Sequence, residues 1–200
     1  ALFLSGMRHF AVTLQKAGRR VHYTALDDAD NRGSLRAQLQ ADIERLRPQG
    51  LVMTAPGDWR VLQMLREVAQ ANGLPLDVRE DRHFYCSVRD FAAHARGRKS
   101  LRLEYFYREM RQRHDVLMRD GEPEGGQWNF DAENRESFGT HGPGAVPPRA
   151  VFTPDAITRE VIELVRSRFA DHPGQLESFA WPVTREQALE SLHRFVSERL

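Results

Sequence analysis

The chain has 200 residues, of which 40% are hydrophobic and 28% are charged, and its formal net charge is +1. This composition is typical of a globular protein with a packed core and excludes a largely disordered chain. No apolar run approaches the roughly 20 residues of a membrane-spanning helix, and Leu2–Leu4 is too short for the core of a signal peptide. We therefore expect no membrane partner. We also expect the protein to be monomeric.

Cysteine usage limits two kinds of chemistry. Cys86 is the only cysteine, so no internal disulfide is possible, which fits the reducing cytoplasm that we expect for this protein. One thiol is also too few for an iron–sulfur cluster, which normally takes several cysteines.

The chain opens with an amphipathic pattern. Apolar residues recur at helical spacing over residues 2–14, which predicts a helix, and an alternating, β-branched run at residues 20–26 predicts a strand. No methionine or capping residue precedes the helix, and the apolar stripe of the last helix runs up to Leu200. We interpret the sequence as a fragment of a longer protein.

Helices and strands alternate through the next segment. After a polar turn at residues 27–33, Ser34 is a helix cap and Asp58 is another. Helices are predicted from these caps to about Arg47 and Ala71, with strands at residues 51–54 and 76–78. This alternation predicts an α/β fold with a Rossmann-like parallel sheet that lacks its first strand.

From Ser87 onward the pattern is helical. Ser87 with Asp90 forms a capping box for a helix over residues 88–95, and Thr184 with Gln187 forms another for the terminal helix. Further helices are predicted near residues 101–117 and from Thr153–Pro154 onward, with glycine and proline concentrated at residues 120–150. We expect an α/β domain at residues 1–119, a linker at 120–150 and the start of an all-α domain at 151–200.

One loop has the composition of a ligand site. In parallel sheets, ligands bind in the loops that follow the carboxyl ends of strands, and residues 54–59 form such a loop. Gly57 would allow close approach, Asp58 would accept hydrogen bonds and Trp59 would offer a stacking surface. An equally supported alternative is that Asp58 only caps a helix and Trp59 belongs to the core.

Two further clusters have a structural and a functional interpretation. Tyr105, Phe106 and Tyr107 could stack on bases, but helical spacing places two of them in the core. Five cations could contact DNA phosphates: Arg98, Lys99, Arg108, Arg111 and Arg113. Glutamates are interleaved with them, which favours a solvated helical face instead.

The most distinctive segment is residues 123–135, with the sequence PEGGQWNFDAENR. Its diglycine excludes regular structure, and Trp128 and Phe130 alternate with polar residues that favour turns, Asn134 among them. This composition predicts a loop of fixed shape whose aromatic rings are packed. Together with FYREMR at residues 106–111 and FTPDAITRE at 152–160, the segment closely resembles proteins of the cryptochrome/photolyase superfamily, in particular the bacterial branch that carries an iron–sulfur cluster.

The resemblance extends along the chain through weaker matches such as Gly97–Lys99, and it carries several implications. It implies an N-terminal α/β antenna domain, a long linker and a helical FAD-binding domain. It also implies a ribityllumazine-type antenna, a [4Fe–4S] cluster and light-driven repair of UV-damaged DNA, with (6-4) photoproducts as the lesion. Most of the flavin pocket and the cluster cysteines would lie outside this chain, so we assign it no catalytic or metal-binding residue and expect it to be inactive alone.

Three functions stay open on the sequence. The first is a deoxyribodipyrimidine photolyase-related repair enzyme, and the second is a cryptochrome-like blue-light photoreceptor of the same fold without repair activity. The third is an unrelated α/β protein that binds a nucleotide or phosphate, which would leave residues 123–135 unexplained and has no glycine-rich phosphate loop.

Overall fold

The computed structural model describes residues 1–132, 135 and 137–199. Its elements, in chain order, are α1 (Leu2–Lys16), α2 (Leu35–Leu46), β1 (Leu51–Thr54), α3 (Trp59–Ala71), β2 (Leu76–Arg79), α4 (Val88–Ala95), α5 (Leu103–His114), β3 (Met118–Arg119), β4 (Glu122–Pro123), α6 (Ala156–Arg168) and α7 (Arg185–Arg199). Short 3₁₀ turns lie at Glu124–Gly126 and Gly139–His141. Among the described residues, no helix combines the length and the apolar character needed to cross a membrane.

The residues group into two compact units, Ala1–Asn31 with Phe138–Leu200, and Arg32–Ser137. The first contains α1, α6 and α7, and the second contains α2 to α5 and the four strands of the described residues. The mixed α/β class predicted from the sequence is confirmed. The domain boundaries at residues 119/120 and 150/151 stay a prediction.

The second unit is built on a strand–helix–strand motif. β1 and β2 pair in parallel, with Leu51 opposite Leu76 and Thr54 opposite Arg79, and α3 connects them. α3 packs against α2, where Val68, Ala69 and Ile43 are buried. The sheet of the described residues has these two parallel strands, so the wider Rossmann-like sheet stays a prediction.

The helix caps predicted in this unit are confirmed. The Ser34 hydroxyl accepts a hydrogen bond from the Ala37 amide at 3.2 Å, and Ser87 and Asp90 exchange both bonds of a capping box. These bonds satisfy amides that a helix leaves open in its first turn. Each cap therefore fixes where its helix begins.

Two connections in the second unit lead into the distinctive loop. α4 and α5 are joined by a bond of 2.5 Å between His94 Nδ1 and Glu109 Oε2 and by an edge-to-face contact of Phe91 with Phe106. After α5, the hairpin of β3 and β4 turns at Asp120 and Gly121, whose φ angles are 53° and 84°. Positive φ at both central residues is what the tight hairpin turn requires.

The first unit centres on the contact between α1 and α6. Val161, Thr158 and Ser5 are almost completely buried there, and Leu164 is 8% exposed. His9 joins the two helices, because its Nε2 lies 2.7 Å from the Asp155 carboxylate. α6 therefore buries one apolar side that includes Val161 and Leu164, whereas Phe3 on α1 is 84% exposed.

Two sequence-based predictions in this unit are wrong. Residues 20–25 are irregular instead of forming a strand, and the backbone of Ala25 bonds to the side chains of Asp28 and Asn31. Strand formation depends on a neighbouring strand, whereas these turn bonds are local. The sixth helix begins at Ala156, after the predicted Thr153–Pro154, because the Asp155 carboxylate accepts the Thr158 amide at 2.9 Å.

Candidate functional site

The loop between β1 and α3 leaves the carboxyl edge of the parallel sheet. The Ala55 amide donates to the Arg79 carbonyl at 2.8 Å, one residue beyond the last paired position of β1. The loops that follow β1 and β2 therefore leave the sheet side by side. This is the edge at which open parallel sheets bind ligands.

Asp58 caps α3, as predicted, and is engaged by its neighbour Arg60. One carboxylate oxygen accepts the Arg60 amide at 2.8 Å, and the other lies 2.8 Å from the Arg60 guanidinium. The guanidinium bond, followed by the amide bond, lowers the pKa of Asp58 below its ordinary value. Asp58 is consequently an ionised acceptor whose oxygens already have partners.

Trp59 and Gly57 remain accessible beside this cap. Trp59 is 69% exposed, which argues against its alternative assignment to the core and leaves its ring free to stack. A Cβ on Gly57 would have no heavy atom within 4 Å, so a ligand can approach the backbone there. Ligand binding by Gly57, Asp58 and Trp59 stays a prediction.

A second candidate site is an aromatic cavity of about 970 Å³ in the same unit. The loop after β2, helix α5 and the distinctive loop contribute its walls, and the rings that line it are those of Phe84, Tyr85, Phe106, Tyr107, Trp128 and Phe130. Such a cavity is large enough for a drug-sized ligand, and stacked rings favour a flat one. Sequence analysis missed this cavity, because its walls come from three segments separated along the chain.

The cavity also changes the interpretation of α5. Helical spacing predicted Phe106 and Tyr107 in the core; Phe106 is half-buried, but Tyr107 is 44% exposed. Glu104 and Glu124 lie among the polar lining residues, and their carboxylates bond to Arg108 and Arg119. The apolar face of this helix therefore forms a cavity wall more than a core contact.

Arg111 shapes the loop that closes the cavity. It is 6% exposed, and its guanidinium donates to the carbonyls of Val116, Leu117 and Trp128. Leu117 has a φ of 54°, a strained value that persists only where surrounding contacts hold it. The predicted solvated helical face is therefore wrong at Arg111, whose charge is directed at backbone carbonyls.

Trp128 and Phe130, the two aromatic residues of the distinctive loop, both have close contacts. The guanidinium groups of Arg108 and Arg111 each lie 5.3 Å from the Trp128 ring, a favourable cation–π distance. Phe130 packs over Gly125, where a Cβ would come within 2.8 Å of the ring. The prediction of packed rings is thus confirmed only in part, because Phe130 is 42% exposed. The fixed shape of the loop stays a prediction, and Asn134 lies outside the described residues.

The described residues offer no metal site. They contain no group of three or more His, Cys, Asp or Glu side chains that could hold an ion. Cys86 is a free thiol that donates to the Ser87 carbonyl at 3.2 Å. A single thiol does not fit an iron–sulfur cluster, so we derive no step through such a group here.

Comparison with known proteins identifies the family of this chain. A family model described as "Deoxyribodipyrimidine photo-lyase-related protein" matches residues 1–181. The "(6-4) photolyase" of Agrobacterium fabrum strain C58 is 45% identical to this chain over 201 aligned residues, which cover all of the chain and 39% of that relative. The chain therefore spans about two fifths of the relative's length, and it belongs to the deoxyribodipyrimidine photolyase-related family.

Proposed function

We propose that the intact protein is a flavin-dependent DNA photolyase that uses light to repair (6-4) photoproducts. The observation that carries this proposal is the 45% identity to a (6-4) photolyase along the whole chain. In this proposal UV-damaged DNA is the substrate, and excited reduced FAD supplies the repair electron. The repair chemistry belongs to the part of the protein beyond this chain.

The role proposed for this chain is the antenna-type α/β part, the linker and the opening helices of the FAD domain. The parallel β1–α3–β2 motif supports the α/β assignment. The accessible ring of Trp59 at the carboxyl edge supports a stacked, ribityllumazine-type antenna beside Gly57 and Asp58. We assign the FAD and [4Fe–4S] sites to residues outside this chain.

The test is photorepair by the full-length protein. An oligonucleotide with one (6-4) photoproduct is incubated with the reduced protein under blue light, and the repaired strand is quantified by chromatography. Repair that requires both light and flavin supports the proposal. Flavin photoreduction without repair of this lesion would refute it and favour the photoreceptor alternative.

A second measurement tests the role of this chain alone. The 200-residue chain is purified and assayed for flavin retention and repair under the same conditions. We expect neither. Repair by the isolated chain would contradict the assignment of the chemistry to the rest of the protein.

A further inference from the structure

The loop between α4 and α5 carries a concentration of exposed positive charge. Arg96, Arg98, Lys99 and Arg102 fall within seven residues, and no acidic residue occurs from residue 91 to residue 103. All four side chains belong to exposed residues. This segment is therefore locally positive in a chain with a net charge of only +1, and we call it the basic loop (residues 96–102).

Three of these cations lack a carboxylate partner within the described part of the chain. No Asp or Glu oxygen there lies within 4.0 Å of Arg96, Lys99 or Arg102. Other exposed arginines of the same unit are paired, such as Arg36 with Glu67 at 2.5 Å and Arg89 with Glu80 at 2.8 Å. Arg96, Lys99 and Arg102 thus differ from these paired arginines in having no carboxylate of the described residues that neutralises them.

The loop is anchored at its start. Arg98 Nε donates to the His94 carbonyl at 2.6 Å, and His94 is itself buried and bonded to Glu109. Gly97 between them has a φ of 74°, a conformation that favours glycine. This bond uses the Nε of Arg98, and the rest of its guanidinium belongs to an exposed residue.

Arg96 and Arg98 face an open polar cavity of about 570 Å³, to which Arg113 also contributes. The two carboxylates that line it are already engaged. Asp90 bonds to Ser87 and to Arg113 at 3.0 Å, and Glu109 bonds to His94. Arg96 and Arg98 therefore line this cavity without being neutralised by Asp90 or Glu109, whose carboxylates are bonded to other side chains.

We propose that the basic loop binds the phosphate backbone of double-stranded DNA, independently of sequence. This inference rests on the proposed function, which makes DNA the substrate. Guanidinium groups match phosphate oxygens in a two-bond geometry, and three of the four cations are arginines. Phosphates follow each other every ~3.4 Å of rise along one strand, so cations that are close together in the chain can contact neighbouring phosphates.

The test uses the full-length protein in the dark with an undamaged 30-base-pair duplex (a length chosen as roughly three helical turns). Binding is measured by fluorescence anisotropy as a function of salt concentration. The variant Arg96→Gln/Lys99→Gln/Arg102→Gln removes the three unpaired cations. We expect its binding at low salt to be weaker by about tenfold or more, and its log–log salt slope to be shallower by about 2 to 3, since each phosphate contact contributes ~0.9.

A matched control removes the same charge from paired positions. The variant Arg36→Gln/Arg89→Gln/Arg119→Gln changes the net charge equally, but each of its arginines has a glutamate partner. We expect its salt slope to stay within one unit of the wild-type slope. The charge-retaining variant Arg96→Lys/Arg102→Lys should keep most of the wild-type slope. This result would show that the loss of charge, and not a folding defect caused by substitution, weakens binding.

Four outcomes decide against the proposal. Equal salt slopes for the wild type and the unpaired-cation variant would overturn it, and if photorepair persists the proposed function still stands. If the control variant, whose arginines are paired, loses as much DNA affinity and salt slope, then the total charge of the protein explains the binding and the basic loop does not. Preferential binding of the wild type to vesicles of phosphatidylserine over DNA would assign the loop to a membrane surface. Absence of both DNA binding and photorepair in the wild type would overturn the proposed function with it.

Discussion

The contact between Gly125 and Phe130 allows a prediction about the shape of the distinctive loop. Gly125 has a φ of 80°, and a Cβ there would lie 2.8 Å from the Phe130 ring. Gly126 has a nearly identical φ of 76°, but a Cβ there would meet no heavy atom within 4 Å. Replacing each glycine by alanine therefore separates the cost of the backbone conformation from the cost of the ring contact.

The expected magnitudes follow from these two terms. Gly126→Ala should lower the free energy of unfolding by about 1–2 kcal/mol, the cost of a left-handed conformation for a residue with a Cβ. Gly125→Ala should lower it by about 1 kcal/mol more, because the Phe130 ring must leave its rotamer. That ring is 42% exposed and can move outward, which limits the extra cost.

The assay combines urea unfolding with amide hydrogen exchange over residues 116–132, which reports local opening of the loop. In the double variant Gly125→Ala/Phe130→Ala the ring is gone. Its loss of stability should therefore approach the loss caused by Phe130→Ala alone plus the cost of the left-handed backbone conformation. The coupling between the two sites should be about 1 kcal/mol. Equal destabilisation by Gly125→Ala and Gly126→Ala, with no coupling to Phe130, would refute the reasoning.

Three further predictions concern Arg111, Asp155 and Trp59. Arg111→Met should lower the free energy of unfolding by about 2–4 kcal/mol in urea titrations, because three carbonyls lose a charged donor. Arg111→Lys cannot reach all three carbonyls, so it should recover less than half of this loss in stability. Full recovery by the lysine would contradict this account. Burial would raise the pKa of Asp155, but bonds from the Thr158 amide and from His9 hold it at about 2. This stabilisation is therefore present above the unfolded pKa of ~3.9 and lost as the pH falls through about 2. Since the carboxylate is 52% exposed, Asp155→Asn should lower the free energy of unfolding by only about 1 kcal/mol at neutral pH. The variant should also lose this fall in stability at acid pH, as measured by melting curves. Trp59→Ala in the full-length protein should lower antenna retention at least ~5-fold (about 1 kcal/mol of stacking) with FAD content unchanged, whereas Trp181→Ala, at a similarly exposed ring, should change neither.

Most predictions that depend on local bonds were confirmed, although the helix start predicted at Thr153–Pro154 was wrong. Ser34, Asp58 and the pair Thr184–Gln187 cap their helices as expected, because a cap involves residues within three or four positions of each other. The strand at residues 51–54 was also predicted correctly, from a short apolar run between turn signals. Such features can be recognised without knowing the rest of the fold.

Predictions that depend on distant partners were less successful. The run at residues 20–26 has the alternation of a strand, yet local side-chain bonds to Ala25 take the place of a ladder. Arg111 was placed on a solvated face because glutamates flank it in sequence, whereas its actual partners are carbonyls five, six and seventeen residues away. The aromatic cavity was missed for the same reason, since no single segment of sequence contains it.

The same argument explains why one short segment identified the family. Helical surfaces accept many residues, so matches along α2 or α7 carry little information. In the distinctive loop several residues have a geometric reason: Gly125 has a positive φ and lies under the Phe130 ring, and the Trp128 ring lies 5.3 Å from both Arg108 and Arg111. Two of these partners, Arg108 and Arg111, belong to the FYREMR segment that carried the resemblance with it. The two segments are thus one structural unit, in which α5 supplies the cations and the loop supplies the ring and carbonyl that they hold, so a change in either one should disturb the wall of the cavity.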